Sequence, residues 1–433
     1  MLYLNGVRDL RRIISEHGIQ QIALHTITFT SEPRRVTYDV DYFLENRMWR
    51  QVTGVDGSNY GVGETHASDL GIKPDMAVAF LDPYAHLPTL GFICSLCEAT
   101  GEEFASDSRL IVQKAVRLLG NTVDGESSAA PELEFYLSVI DPREREAIKL
   151  WFPQLKTHYH LQPPLDLFAD VRAEMAATMA AAGIRVKYHH TEVGGTNDGT
   201  QQQEIEFSFG PIQETADGYY LARYIIDVIA SKHGLTADFS PKPRLELAGS
   251  GFHTHFLISK DGRSLFYNNR PPYNLSKLAL NFIAGILRHG RVLAAFTNPT
   301  ADSYKRLGKC ESPVALFWDL ANRTAAIRIP GYARKPAIAR FEYRPTDATG
   351  NYYLVLAAII MAGIDGITNP PTRHGQQYYH PKYEGERFTL PKSVAEAAEA
   401  LERDNEFLLR ESVFPAAAII QQVKNLKETT KPV

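Results

Sequence analysis

The stretch Pro131–Leu137, which reads Pro-Glu-Leu-Glu-Phe-Tyr-Leu, decides how the rest of the chain is interpreted. Its residues favour a β-strand, and Glu132 and Glu134 are two positions apart. Because side chains alternate between the two faces of a strand, both carboxylates are predicted to project from the same side. Two like charges on one face repel each other unless a cation lies close to them. The stretch therefore fits two alternatives: salt bridges to Arg or Lys on neighbouring strands, or a divalent metal site.

The overall composition is that of an ordinary folded protein. The chain has 433 residues, of which 44% are hydrophobic and 22% are charged. This length is sufficient for two or three domains with a large core. The net charge of −4 gives no reason to expect nucleic acid or an anionic membrane as a partner. The longest apolar stretch, 352–364, is shorter than the roughly 20 residues that a membrane helix needs, and the N-terminus has no apolar signal core.

The three cysteines, Cys94, Cys97 and Cys310, are too few to form a disulfide scaffold. A sparse, odd set is typical of a reducing compartment, so we expect a cytoplasmic location. Cys94 and Cys97 form a Cys-x-x-Cys pair, but no second pair completes a zinc site, and packing is their expected role.

The chain divides into two predicted parts. Residues 1–110 contain several strands around a loop at 51–67 that is rich in Gly, Ser and Asp, which predicts a small mixed N-terminal domain. In residues 111–433, strands alternate with helices, and the many short strands predict a mainly antiparallel sheet. The predicted class is α+β. Within the larger part we expect one long helix at 276–295 and a polar loop at 194–202.

Four further acid or His positions lie at comparable strand ends: Glu192, Glu204, His253 and Glu342. Glycines before His253 would allow a ligand to approach the backbone closely. Taken singly, a strand Glu is usually solvated or half of a salt bridge, and a lone His is usually a hydrogen-bonded structural residue.

Five arginines follow within a short span, at positions Arg306, Arg323, Arg328, Arg340 and Arg344. Strand alternation places Arg340, Glu342 and Arg344 on one face, which is either exposed to solvent or lines an anionic site. Guanidinium groups bind phosphate and carboxylate through two hydrogen bonds at once. The chain contains no Walker loop, nucleophile elbow or His-Glu-x-x-His motif. The residues by themselves therefore indicate an enzyme that handles phosphate with metal ions and arginines.

The same residues lie in motifs that resemble those of the glutamine synthetase family. The matching stretches occur in the family's order: Glu132-Leu-Glu-Phe135, Ala248–His255, Asn298–Leu307, Asn322–Pro330 and Arg340–Arg344. The N-terminal part matches more weakly, through Asp56-Gly-Ser58 and Asp107-Ser-Arg109.

The resemblance implies a fold and an assembly. The fold would have a small N-terminal β-grasp domain and a large catalytic domain with an antiparallel, barrel-like sheet surrounded by helices. The assembly would be a homo-oligomer of stacked hexameric rings, commonly a dodecamer, in which the small domain closes a neighbour's active site.

The resemblance also implies a role for each candidate residue. Two ions of Mg²⁺ or Mn²⁺ would be bound, the first by Glu134, Glu192 and Glu204 and the second by Glu132, His253 and Glu342. Substrate and phosphate contacts would come from Arg306 and Arg344 at the glutamate α-carboxylate, the Gly249 backbone near its amino group, and Arg323, Arg328 and Arg340 at the transferring phosphoryl group. Glu311 would close the site, and Asp56 of the adjacent subunit would bind and deprotonate ammonium.

The implied activity is that of a type I-like glutamate–ammonia ligase. ATP would convert the γ-carboxylate of glutamate into an acyl phosphate, which ammonia then attacks. Two alternatives stay open: a γ-glutamyl ligase that uses an organic amine or polyamine, and a non-catalytic family member. Departures from the family's pattern at Asn59 and Ala248, with a longer 194–203 loop, leave room for the amine. Leu257, two positions past His255, replaces a polar residue and affects the expected nucleotide contact instead. Phe388, near the modified Tyr of adenylylated members, makes that regulation unexpected.

Overall fold

The computed structural model describes residues 2, 4–63, 65–371 and 389–429, and every structural statement below concerns these residues. Phe388 lies outside them. The helices are α1 Val7–His17, α2 Val40–Glu45, α3 Ser108–Val123, α4 Pro142–Lys149, α5 Ala169–Ala181, α6 Ile212–Lys232, α7 Lys277–Arg288, α8 Gly290–Thr297, α9 Ala301–Arg306, α10 Tyr352–Thr368, α11 Val394–Arg403, α12 Glu406–Leu409 and α13 Ala416–Thr429.

The strands are β1 Gln21–Ile27, β2 Pro33–Asp39, β3 Thr53–Asp56, β4 Asp69–Leu81, β5 Thr89–Glu98, β6 Glu126–Val139, β7 Val186–Gly195, β8 Thr200–Phe207, β9 Gly210–Pro211, β10 Leu235–Asp238, β11 Phe252–Lys260, β12 Arg263–Ser264, β13 Trp318–Leu320, β14 Ile327–Ile329 and β15 Phe341–Tyr343. They form two sheets. The presence of both helices and sheets agrees with the predicted α+β class.

The first, or small, sheet has five strands in the order β2-β1-β5-β4-β3. Its neighbours pair antiparallel except β1 and β5, which run parallel. Amphipathic α1 buries Leu10 and Ile13 in the same hydrophobic core as the sheet residues Ile22 and Phe92. Burial of one face of a helix against a sheet is what stabilises this unit.

The second, or large, sheet has ten strands, and its main path is β13-β14-β15-β11-β6-β8-β7. All pairs except β13 with β14 are antiparallel. In an antiparallel pair, residues directly opposite each other point to the same face. The α+β class with a mainly antiparallel sheet surrounded by helices is therefore confirmed. The division into domains at residue 110 stays a prediction.

Helix α10 is the apolar centre of the helical layer. Asn351 caps its N-terminus by accepting a hydrogen bond from the Leu354 amide, and nearly all of its residues are buried. It packs closely on α7 at Gly285 and Gly366: a Cβ atom added at Gly285 would lie 2.0 Å from the Ala362 carbonyl oxygen. Glycine permits this close approach of the two helices because it has no side chain.

The predicted helix at 276–295 is wrong, because the structure has two helices there. Helices α7 and α8 meet at His289 with a bend of 72°. The His289 ring is held between two carboxylates, with Nε2 2.9 Å from Asp365 and Nδ1 2.7 Å from Asp404. Within the described ranges, no single helix is long and apolar enough to cross a membrane, although this bent pair together reaches the required length and composition.

The predicted loop at 194–202 is also wrong, because β7 and β8 extend into it and leave only residues 196–199 between them. The polar residues that suggested a loop are buried and hydrogen-bonded. Gln201 Nε2 donates to the Leu165 carbonyl at 2.8 Å, and Gln202 Nε2 donates to Glu134 at 3.2 Å. Buried polar side chains are tolerated where they find such partners.

Candidate active site

A cavity of about 710 Å³ is lined by strand residues of the large sheet and by residues of the adjacent loops and α9. The predicted site residues on its wall are Glu132, Glu134, Glu192, Glu204, Gly249, His253, Arg306, Glu311, Arg323, Arg328 and Arg344. Three predicted residues do not line it: Asp56, Arg340 and Glu342.

Strand register places the acidic residues on one face of the sheet. Glu132 is opposite His253 on β11 and opposite Glu206 on β8. Glu134 is opposite Glu204. The sequence predicted the alternation along each strand, and the pairing of strands brings the separate acids together.

One compact group contains Glu132, His253 and Glu342, whose candidate ligand atoms all lie within 4.8 Å of one another. His253 Nδ1 is 3.2 Å from Glu132 and 3.7 Å from Glu342. These are the three residues that the resemblance assigned to the second ion.

A second compact group contains His190, Glu192 and Glu204. His190 Nε2 is 3.4 Å from Glu204. Glu134, which the resemblance assigned with Glu192 and Glu204, lies opposite Glu204 but is not part of this compact group, and it accepts a hydrogen bond of 2.8 Å from the Gly251 amide. Glu134 is also 3.8 Å from His253 Nδ1, so it lies beside the group formed by Glu132, His253 and Glu342.

The crowded carboxylates affect each other's protonation. Burial raises the pKa of Glu192 to about 8, and the charges of Glu134 and Glu204 add to the effect. Burial and the surrounding carboxylates, Glu132 first, also raise the pKa of Glu204 well above its usual value. Burial opposes ionisation of Glu132, but His255 and His253 outweigh it and hold the pKa of that carboxyl well below its usual value. The site therefore has more negative charge than its own cations neutralise.

The arginines have different hydrogen-bond partners. Arg328 donates to Glu342 at 2.5 Å, and Arg344 also donates to Glu342. Arg306 is buried and donates to the Pro345 carbonyl at 2.8 Å. Arg340 is buried behind the cavity wall, where its Nε lies 3.4 Å from His255 Nδ1.

Glu311 and Arg323 form a looser part of the wall. Their side chains are exposed and 3.7 Å apart. Gly249 is close to Arg306, and a Cβ atom at this position would lie 2.7 Å from the Arg306 side chain. Asp56 is exposed at the end of β3, and its carboxylate accepts hydrogen bonds from Ser58 and Asn59.

Residues 105–429 match the sequence model of the glutamine synthetase catalytic domain. This chain belongs to the glutamine synthetase family. It is 38% identical to a glutamine synthetase of Aquifex aeolicus over 93% of this chain and 90% of that protein. It is 32% identical to a protein named 3-hydroxylaminophenol mutase from Cupriavidus pinatubonensis, over 99% and 98% of the two chains. The fold matches the Plasmodium falciparum glutamine synthetase with a TM-score of 0.85 at 23% identity, over 99% of this chain and 96% of that one.

Three residues near the family's acidic motifs were not predicted as site residues. His190 joins Glu192 and Glu204, while Glu206 and His255 form a further compact group with Glu132. His255 Nε2 lies 2.7 Å from Glu132. A signal was present for each: His190 is two residues before Glu192, Glu206 is two after Glu204, and His255 is two after His253. Such spacing in a strand gives side chains on the same face.

The residues fit a site for hard divalent cations. Carboxylate oxygens dominate the donor set, imidazole nitrogens supply the remainder, and the candidate ligand atoms converge within each group. This chemistry suits Mg²⁺ and Mn²⁺, and the raised pKa values of Glu192 and Glu204 indicate carboxylates that a bound cation would stabilise in their ionised form.

Proposed function

We propose that this protein is an ATP-dependent ligase that forms glutamine from glutamate and ammonium through a γ-glutamyl phosphate. The observation that carries the proposal is that two carboxylate–imidazole groups border one cavity, which Arg323, Arg328 and Arg344 also line. Acidic groups that suit metal ions, set beside guanidinium groups, are the parts that phosphoryl transfer needs. Membership of the family supports the same reaction.

The metal ligands follow from the two groups. Glu132, His253 and Glu342 would hold one ion, while Glu192 and Glu204, together with His190 or Glu134, would hold another. Bound Mg²⁺ or Mn²⁺ would neutralise negative charge on the phosphate oxygens of ATP.

The protein's own groups then serve the two steps. In the first, an oxygen of the glutamate γ-carboxylate bonds to the γ-phosphorus of ATP, and the bond to ADP breaks. Arg328 and Arg323 line the cavity and would stabilise the charge of the transferring group. Arg340, which is buried behind the wall, would act through His255, whose Nε2 lies 2.7 Å from Glu132. Arg306 and Arg344 would position the glutamate α-carboxylate, with the Gly249 backbone close to the amino group.

In the second step, ammonia attacks the acyl carbon and phosphate leaves. Ammonium must first lose a proton, and Asp56 of an adjacent subunit would accept it. Glu311 would close the cavity and exclude water, which would otherwise hydrolyse the acyl phosphate. The dodecameric assembly and the cytoplasmic location remain predictions that accompany this proposal.

An organic amine is the second candidate acceptor. Asn59 Nδ2 donates to Asp56 at 2.6 Å, so this carboxylate is already engaged within its own loop. Ala248 lies on the cavity wall, where the small alanine side chain leaves space for a larger acceptor. One relative is named 3-hydroxylaminophenol mutase, so proteins similar to this chain include one that is not named for glutamine synthesis.

The test is phosphate release from ATP in the presence of Mg²⁺ and glutamate, with ammonium compared against a panel of amines and polyamines. Turnover with ammonium, with glutamine as the product, supports the primary proposal. Turnover with an amine alone would replace it by the second candidate. If no acceptor supports turnover and Glu134→Ala leaves nucleotide and metal binding unchanged, the protein is a non-catalytic family member.

A further inference from the structure

A second cavity, of about 240 Å³, lies between the small sheet and the helices α3, α6 and α10. It shares no lining residue with the active-site cavity. Cavities of roughly 150 Å³ are already large enough to bind benzene in an engineered protein. This one can therefore accommodate a molecule with one or two rings.

The walls of this sheet–helix cavity are mainly apolar. Phe80, Ile93 and Leu96 come from the small sheet, and Leu221 and Tyr224 come from α6. Apolar walls with few polar groups are typical of sites for small organic ligands, which bury most of their surface.

The charged groups at the edge of the cavity already have partners. Arg35 is 3.3 Å from Asp82, which also accepts a hydrogen bond from the Tyr224 hydroxyl. Arg109 is 2.9 Å from Asp217. Asp107 caps α3 by accepting from the Leu110 amide. A charged ligand would find no uncompensated counter-charge among these groups, so the cavity suits an uncharged molecule.

His25 is the exception among these polar groups. Its Nε2 atom is buried and has no hydrogen-bond partner within the described part of the chain. The ring is held in place between Phe80, at a centroid distance of 5.1 Å, and Tyr224, at 6.1 Å. Burial and the neighbouring Arg35 lower the pKa of His25 to about 4, so the imidazole is neutral at physiological pH.

A buried polar atom without a partner costs stability, and a ligand that supplies the missing hydrogen bond recovers it. A neutral imidazole offers either an N–H donor or a lone pair at Nε2. A hydroxyl group can serve either form, because it both donates and accepts.

We propose that the sheet–helix cavity binds a small, uncharged aromatic molecule with one hydroxyl group, such as a phenol, which packs against Phe80 and Tyr224 and hydrogen-bonds to His25 Nε2. The small sheet and the helices α3, α6 and α10 all line this cavity, so binding of the molecule stabilises the packing of the small sheet on these helices. The proposal concerns a site separate from the catalytic cavity and does not depend on the proposed ligase reaction.

The experiment uses isothermal titration calorimetry on the assembled protein, saturated with ADP and Mg²⁺ so that the active site is filled. Phenol is the probe, and benzene and benzoate are the matched comparisons. We expect saturable binding of phenol, roughly tenfold weaker binding of benzene because it lacks the hydroxyl, and no binding of benzoate. Phenol should also raise the unfolding temperature.

Two variants and one control assign the signal to this cavity. His25→Phe keeps a ring but removes Nε2, and it should remove the preference for phenol over benzene. Ile93→Trp fills the cavity and should abolish binding of both. His86→Phe makes the same exchange at an exposed position of the small sheet's β4–β5 connection and should change neither.

Three results would overturn the proposal. These are the absence of saturable phenol binding to the unmodified protein, displacement of phenol by raising the nucleotide concentration, and unchanged binding in Ile93→Trp. The unfolding temperature of each variant, recorded without a ligand, shows that the variant is folded under the conditions of the titration.

Discussion

The active-site cavity has two walls that are fixed in different ways. The strand wall consists of Glu132, Glu204 and His253, with Glu342 directly behind it, and all four residues are buried and held by register in the large sheet. The loop wall consists of Glu311 and Arg323, whose side chains are 61% and 48% exposed. The side chain of Glu342, by contrast, is fully buried.

The difference shows which part of the site is built before substrate arrives. A residue on a paired strand cannot move without breaking the ladder, and burial of its charge demands partners. An exposed residue on a loop makes weak contacts and can reorganise at small cost. In the proposed ligase, the strand wall would hold ions and phosphate in fixed positions, and the loop wall would close around them.

The largest expected effect is a difference in the free energy of unfolding between a variant of the strand wall and a variant of the loop wall. Glu342→Ala leaves Arg328 and Arg344 without their shared carboxylate, and we expect the free energy of unfolding to fall by about 3–5 kcal/mol. Glu311→Ala should change it by less than about 0.5 kcal/mol. Both should lower turnover. Denaturant titration and phosphate release measure the two quantities, and equal loss of stability in both variants would remove the distinction between the walls.

The next prediction asks whether a third wall comes from a neighbouring subunit. Asp56→Ala and Arg328→Ala should each be inactive. When the two are co-expressed in equal amounts, random assembly should restore roughly a quarter of the activity, because some interfaces bring both native residues together. Mixing the variants after assembly, without subunit exchange, is the control. Failure of the co-expressed mixture to recover activity would place Asp56 outside a neighbour's site.

Arg340 tests how much the strand wall depends on residues behind it. Its contact with His255, which in turn contacts Glu132, predicts that Arg340→Ala lowers turnover roughly 10- to 100-fold and weakens Mg²⁺ binding. Size-exclusion chromatography should show the oligomer unchanged. Arg340→Lys, which keeps the charge, should recover part of the metal affinity; loss of the oligomer in either variant would mean that Arg340 supports assembly.

The smallest effect is a pH dependence of the metal-free protein. The pKa of Glu192 is raised to about 8 in the folded state and is near 4.5 when the chain is unfolded. Between these values the folded state holds a proton that the unfolded state has lost, so stability decreases as pH rises from about 5 to 8. Glu192→Gln should remove part of this decrease, and Mg²⁺ should counteract it. The unfolding temperature across this range is the measurement.

An exposed carboxylate provides the control for that experiment. Glu102→Gln, in the turn after the small sheet, should leave the slope unchanged. A slope that is the same in Glu192→Gln and in the unmodified protein would mean that Glu192 ionises normally.

The sequence alone determined which residue types are available and on which face of each strand they lie. Two-residue spacing placed Glu132 with Glu134 and Glu342 with Arg344, because side chains alternate along any extended backbone. The order of the motifs also indicated the family. The same spacing could have identified Glu206 and His255, which lie one alternation beyond predicted residues.

Only the tertiary structure decided which strands became neighbours and which polar residues were buried. The pairing of β6 with β8 and β11 set Glu132 against Glu206 and His253, and register between distant segments depends on the packing of the whole sheet. The glutamines at 201–203 suggested a loop, but their hydrogen bonds to distant groups allow a buried strand. The helix predicted at 276–295 likewise bends at His289, whose ring is held by Asp365 and Asp404, two residues far away in sequence.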